Sequence, residues 1–172
     1  MNNCFILLAA GKGKRFNLKE KKQFIKYKNK PLFMHSIEKA KKSKLFKKII
    51  LVSNKQIKIP NVKVIKGGKE RSDSSFEALK YLKDKKIKNV FIHDAARPNF
   101  SIKLLNNLNK NLKSNKAVVP YINTNNSTKY IYKKKVINLK RQQVLLTQTP
   151  QCFDYKILYN LSKRNKMSVS DE

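Results

Sequence analysis

Apolar runs of strand length alternate with helical patterns from one end of the chain to the other. Phe5–Leu8 continues an apolar run from Cys4, which predicts a buried strand leading straight into Ala9-Ala10-Gly11. Leu32–Leu45 predicts a helix with Met34, Ile37, Ala40 and Leu45 roughly on one face. Lys48–Ser53 and the short Val62–Ile65 read as strands, the second running into Gly67-Gly68. Ser74–Lys83 predicts a helix with Phe76, Leu79, Tyr81 and Leu82 as its apolar area and Asp73 or Ser74 as N-cap. Asn89–His93 is a further strand, and Ser101 caps a helix running to about Leu112. Ala117–Pro120 is a strand, the alternation over Tyr130–Leu139 predicts a hairpin or arm, and Asp154 caps a last helix to Lys163.

Strands alternating with helices imply an α/β architecture with a mainly parallel sheet. Ligands in such sheets bind beyond the carboxyl ends of the strands. Three polar clusters follow strands here: the loop from Ala9, the stretch Gly67–Ser74, and His93–Pro98. They are expected to converge on one edge. The absence of a linker or repeat predicts a single domain over residues 1–172, with an arm at 121–141.

Composition changes this picture in one respect. The chain carries 41 Lys+Arg against 10 Asp+Glu, a formal net charge of +31. Such a field attracts polyanions, nucleic acid or an acidic membrane surface included. The lysines, however, are spread over every segment with no aromatic interleaving, as heavy use of Lys, Asn and Ile throughout would produce. Nucleic acid is therefore not the expected partner, and a small polyanionic substrate is. Cys4 and Cys152 lack metal-ligand spacing and predict thiols in a reducing compartment. No apolar run is long enough to span a membrane, and the first strand begins too early to leave room for a leader. The expected location is the cytoplasm.

The candidate chemistry starts at Leu7-Leu8-Ala9-Ala10-Gly11-Lys12-Gly13-Lys14-Arg15. Small residues let the loop backbone approach a ligand, and three cations stand beside the amides. A Walker loop would need Ser or Thr after Lys14, where Arg15 stands, and a dinucleotide fingerprint would need a small residue at Phe16. Both readings fail, and a nucleoside triphosphate suits the loop better. Arg15 and Lys22 could stabilise charge building on an α-phosphorus and on departing pyrophosphate, or either could be one more solvated cation. Gly67-Gly68-Lys69-Glu70-Arg71-Ser72-Asp73-Ser74 is a glycine turn at a helix start, suited to a ribose, base edge or phosphate, or a plain capped turn. In His93-Asp94-Ala95-Ala96-Arg97-Pro98, Asp94 could meet a magnesium-nucleotide or polar substrate and Arg97 a phosphate. The same pair could equally be an ion pair closing the turn. His93 reads as an oriented structural histidine. Arg141 could clamp a second substrate's phosphate, and Gln148-Thr149-Pro150-Gln151 is a turn of open role.

The segments LLAAGKGKRF, KKQF, KPLFMHSIEKA, GGKERSDSSFEAL, FIHDAARP, LKR and QTPQCF, closing on SDE, occur in one order across nearly the whole chain. Together they resemble the cytidylyltransferases that activate polyol phosphates, most of all the 2-C-methyl-D-erythritol 4-phosphate cytidylyltransferases of non-mevalonate isoprenoid synthesis. The resemblance implies a Rossmann-like nucleotidyltransferase fold with a mixed, mainly parallel sheet and a β-hairpin arm exchanged in a homodimer. It implies Arg15 and Lys22 at the transition state, and Ala9, Ala10, Gly11, Gly13, Gly68, Ser74 and Ala95 around CTP. It places Asp94, Arg97, Ser127 and Arg141 toward the polyol phosphate, some of them across the dimer. It also implies magnesium carried mainly by the CTP phosphates, with no metal held by the chain alone. Ribitol 5-phosphate is the alternative acceptor, and a non-catalytic basic nucleic-acid-binding protein the alternative class.

Four departures from the family pattern accompany these matches. Lys21 stands where a proline is usual, Lys69 where an acidic residue is usual, and Asn126-Ser127 where Asp-Thr is usual. Family members continue past the position of Glu172 with further strands, a helix and a substrate-positioning lysine, so a C-terminal truncation is expected.

Overall fold

The computed structural model describes residues 2–11 and 21–164. Its strands are β1 (Asn3–Leu8), β2 (Lys26–Tyr27), β3 (Lys30–Pro31), β4 (Phe46–Val52), β5 (Lys63–Ile65), β6 (Asn89–Asp94), β7 (Ala117–Val118), β8 (Tyr121–Asn123), β9 (Thr128–Tyr132), β10 (Lys135–Leu139), β11 (Leu145–Thr147) and β12 (Gln151–Asp154). The helices are α1 (Leu32–Ser43), α2 (Arg71–Tyr81), α3 (Ile102–Asn111) and α4 (Tyr155–Arg164). Six strands form the central sheet in the order β5-β4-β1-β6-β12-β7. β5, β4, β1 and β6 run parallel, while β12 lies antiparallel to both β6 and β7. The expected α/β class with a mixed, mainly parallel sheet is the one observed.

Period-two alternation along the strands divides the core into two layers. Phe5 and Leu7 of β1 join Ile49, Leu51 and Phe91 beneath α1 and α3, where Phe33, Ile37, Leu105 and Leu108 close the layer. Cys4 and Ile6 face the opposite way with Ile50, Val52, Val90 and Ile92, covered by Ala78 and Leu79 of α2 and by Tyr155 and Leu158 of α4. Each fully buried Leu, Ile or Phe is worth about 1.5–3 kcal/mol over exposure, so a one-residue slip of β1 would be prohibitive. Register at the sheet's carboxyl edge is thereby set. Burial also pushes the Cys4 and Cys152 thiols well above their ordinary range, leaving both inert at neutral pH.

The predicted caps hold at two helices. Ser101 Oγ accepts from Leu104 N–H (3.0 Å) at α3, and Asp154 Oδ1 accepts from Ile157 N–H (3.1 Å) at α4. At α2 the expectation is corrected. The helix begins at Arg71 rather than Ser74, and Glu70, not Asp73 or Ser74, occupies the N-cap position. Asp73 Oδ2 accepts from the backbone N–H groups of Lys69 and Glu70 (3.1 Å each), a capping-box contact that draws the first turn back to Arg71.

The predicted hairpin is β9 with β10, joined at Lys133 and Lys134, whose φ values of 44° and 65° make a two-residue primed turn. A second ribbon, β8 with β11, lies at its base.

Candidate active site

β4 and β5 build on one edge of β1 and β6 on the other, so the chain reverses direction across the sheet at β1. Leu8, the last residue of β1, pairs in register with Asp94, the last of β6. At this switch point opens a cavity of ≈ 470 Å³. Leu8 at the end of β1 lines it with Ala10 and Gly11 just beyond, Lys22 and Gln23 from the 3-10 turn, Gly68 through Arg71 and Ser74 from the approach to α2 and its first turn, and Asp94 through Arg97 from the end of β6 and the turn after it. The three polar clusters therefore meet on one edge.

Backbone contacts hold this rim. Ala9 N–H donates to Val52 O (2.8 Å) and Ala95 N–H to Leu8 O (3.0 Å). The Gln23 carboxamide, only 6% exposed, donates to Ala9 O (2.8 Å) and Gly11 O (3.0 Å). With both carbonyls turned toward Gln23, the loop is pinned immediately beside Lys22. The glycine pair permits close approach on the other wall. A Cβ on Gly67 would lie 2.3 Å from Ala10 Cβ, and one on Gly68 would lie 2.2 Å from Asp73 Cβ. Gly68 N–H donates to Ser74 Oγ (3.2 Å), which brings that hydroxyl to the cavity.

Charge is organised around Asp94. Arg71 Nε lies 3.2 Å from Asp94 Oδ1, and Arg97 Nε lies 3.3 Å from Oδ2. Arg71 Nη2 also donates to Gln151 Oε1 (3.4 Å) and Arg97 Nη1 to Gln148 Oε1 (3.5 Å). His93 beneath them is fully buried. Its Nε2 faces Arg97 O (2.9 Å), which requires the proton there, so Nδ1 accepts from the Thr149 hydroxyl (2.8 Å). Burial lowers its pKa to about 4, against the smaller upward pull of Asp94, so the ring is neutral at pH 7. His93 thus holds the turn and carries no proton for chemistry.

Of the residues singled out from sequence, Ala10, Gly11, Lys22, Gly68, Ser74, Asp94, Ala95 and Arg97 line this cavity. Ala9 lies buried behind it. Arg15 and Gly13 fall outside the described residues. Ser127 and Arg141 are exposed on the arm and are not among the cavity's lining residues. Sequence reasoning passed over Gln23 and Arg71, although both stand inside quoted motifs.

Comparison with known proteins adds independent findings. A family model described as 2-C-methyl-D-erythritol 4-phosphate cytidylyltransferase matches residues 3–172. The bifunctional enzyme IspD/IspF of Pelagibacter ubique is 49% identical over 179 residues, covering 100% of this chain and 48% of that protein. The 2-C-methyl-D-erythritol 4-phosphate cytidylyltransferase of Clostridium kluyveri is 35% identical over 193 residues, covering 99% of this chain and 81% of that one. The solved structure of bifunctional IspDF from Campylobacter jejuni superposes with a TM-score of 0.85 at 28% identity, covering 99% of this chain and 46% of that one. The chain thus spans about half the length of the bifunctional relatives and most of the single-function one.

Proposed function

The chain belongs to the 2-C-methyl-D-erythritol 4-phosphate cytidylyltransferase family, and from that membership we propose that it transfers a cytidylyl group from CTP to 2-C-methyl-D-erythritol 4-phosphate. An oxygen of the acceptor phosphate attacks the α-phosphorus, forming the new P–O–P bond, while the bond to the β-phosphate breaks and pyrophosphate leaves. The acceptor is already an anion, so no general base is needed, in keeping with a His93 whose two ring nitrogens are both engaged, by Arg97 O and the Thr149 hydroxyl. Arg15 and Lys22 meet the charge that grows on the α-phosphate and the leaving group, where a fixed cation acts more strongly than in the ground state. Ala9, Ala10, Gly11, Gly13, Gly68, Ser74 and Ala95 surround the nucleotide. Asp94, Arg97, Ser127 and Arg141 address the acceptor.

The observation that carries this reading is the convergence of three loops distant in sequence on one cavity at the switch point, against the first turn of α2. Among the described residues no group of three or more His, Cys, Asp or Glu side chains could hold a metal ion, and both Asp94 oxygens already face guanidinium groups. Magnesium would come with the substrate, held mainly by the CTP phosphates, and would supply neutralisation of part of their charge.

The arm supports a homodimer. Tyr130, Ile131, Tyr132, Val136 and Ile137 are all exposed there, an apolar surface suited to a second copy. Ser127 and Arg141 on that arm would then reach the acceptor site of the partner. The buried, unpaired Cys4 and Cys152 fit a reducing cytoplasm. The experiment is pyrophosphate release by the chain with CTP and each polyol phosphate. Turnover of 2-C-methyl-D-erythritol 4-phosphate supports the proposal, and turnover of ribitol 5-phosphate alone replaces it with the other acceptor.

A further inference from the structure

We propose that Arg71 is a positioning residue for the acceptor side of the cavity, acting through the Asp94 carboxylate. The inference rests on the reading above that Asp94 addresses the polyol phosphate. Asp94 ends β6 and has two guanidinium neighbours, one on each oxygen. They differ in kind. Arg97 belongs to the same turn as Asp94 and its side chain is 54% exposed, so it can follow the carboxylate wherever it moves. Arg71 approaches from a separate element, with its side chain 21% exposed, and starts the helix that Asp73 pins from behind. Its guanidinium also reaches Gln151, which is 3% exposed on β12 and pairs in register with Ile92. Through Arg71, Asp94 is tied to α2 and β12 at once.

Two physical consequences follow. The cavity must admit two anionic substrates, and an uncompensated carboxylate at its rim would repel both. Two guanidiniums on one carboxylate leave the trio positive, so Asp94 can serve a hydroxyl of the polyol without repelling its phosphate. The pair is also partly solvated, so its direct contribution to stability is small, and the effect of Arg71 falls on geometry. A lysine would keep the charge. It would lose the planar fork that meets Asp94 and Gln151 together.

The test is a double-mutant cycle on the full chain, with steady-state kinetics in CTP and 2-C-methyl-D-erythritol 4-phosphate. Arg71→Ala is expected to lower kcat/KM for the acceptor by about 10²-fold, the scale of a ~1 Å misplacement, while leaving KM for CTP within about twofold. In an Asp94→Asn background the same substitution should cost far less, because the group it acts through is already impaired. Arg71→Lys should resemble Arg71→Ala more than the unmodified protein, and it supplies the same cycle if the alanine variant does not fold. An equal loss in both backgrounds, or a loss that falls on KM for CTP, overturns the positioning role alone. An unmodified chain that releases no pyrophosphate overturns the reading of the site, and this inference with it.

Discussion

Around the cavity the chain buries the groups that hold it: Ala9 is 2% exposed, Ala95 1% and Gln23 6%. Between Tyr121 and Thr147 the reverse holds, with Ile131 72% exposed and Val136 61%. The cavity rim is fixed by the register of β1 against β4 and β6, by two glycines in close approach, and by a buried carboxamide. The arm has ribbon hydrogen bonds of its own but little apolar burial. Among the described residues, the rim is held by contacts within a single chain. The arm is the part that the proposed second copy would cover. A rim held by the core and an arm covered only in the proposed dimer would respond to mutation in different ways.

The largest expected effect lies on the rim. Lys22→Ala should lower kcat by about 10²–10³-fold, as removal of a transition-state donor does, without changing the thermal midpoint appreciably. A loss confined to KM would place Lys22 in ground-state binding instead. Next comes pH. The folded His93 titrates near pH 4, against an ordinary value of 6.5, so between these values the unfolded chain binds more protons. Stability must therefore fall as pH drops through that window, by up to about 3 kcal/mol, and should be level with respect to this group above pH 7. Denaturant unfolding at several pH values measures it, and His93→Gln should flatten the slope.

A smaller effect separates two glycines of the same rim. Gly67→Ala drives a Cβ against Ala10 Cβ, an atom that cannot rotate away, and should cost about 1–3 kcal/mol. Gly11→Ala meets nothing within 4 Å among the described residues and should cost much less. The smallest effect on the isolated fold belongs to the arm. Ile131→Asp should change monomer stability by about 0.5 kcal/mol or less, as exposed substitutions do. It should nonetheless shift the chain from dimer to monomer in sedimentation. If it instead unfolds the domain, the arm is packed within its own chain and the contrast fails.

The central strands and the hairpin were legible because their information is local. A continuous apolar run marks β1, and alternation marks β9 and β10. The start of α2 was not. Asp73 satisfies the pattern for an N-cap and for the third helical position alike, and only the two amides it accepts from decide between them. Apolar area on α2 was more legible: Leu79 and Leu82 are fully buried, with Ala78 beside them, and the partly buried Tyr81 and Phe76 pack on the core and on Tyr159. Gln23 binds carbonyls 14 and 12 residues away, a contact with no local periodicity. Arg71 was hidden by abundance. The turn itself offers Arg97 as a partner of Asp94, and that ion pair is present, but in a chain with 41 Lys and Arg nothing nearby marks Arg71 as the second. Ser127 and Arg141 carry motif signals, yet within one chain they lie outside the cavity lining.

The claim on which the rest depends is the proposal that this cavity transfers the cytidylyl group of CTP to 2-C-methyl-D-erythritol 4-phosphate. Pyrophosphate release by the purified chain, measured with CTP and either 2-C-methyl-D-erythritol 4-phosphate or ribitol 5-phosphate, tests it most directly. The account predicts release with the methylerythritol phosphate and its abolition by Arg15→Ala. Release with ribitol 5-phosphate alone, or release unaffected by Arg15→Ala, would contradict it.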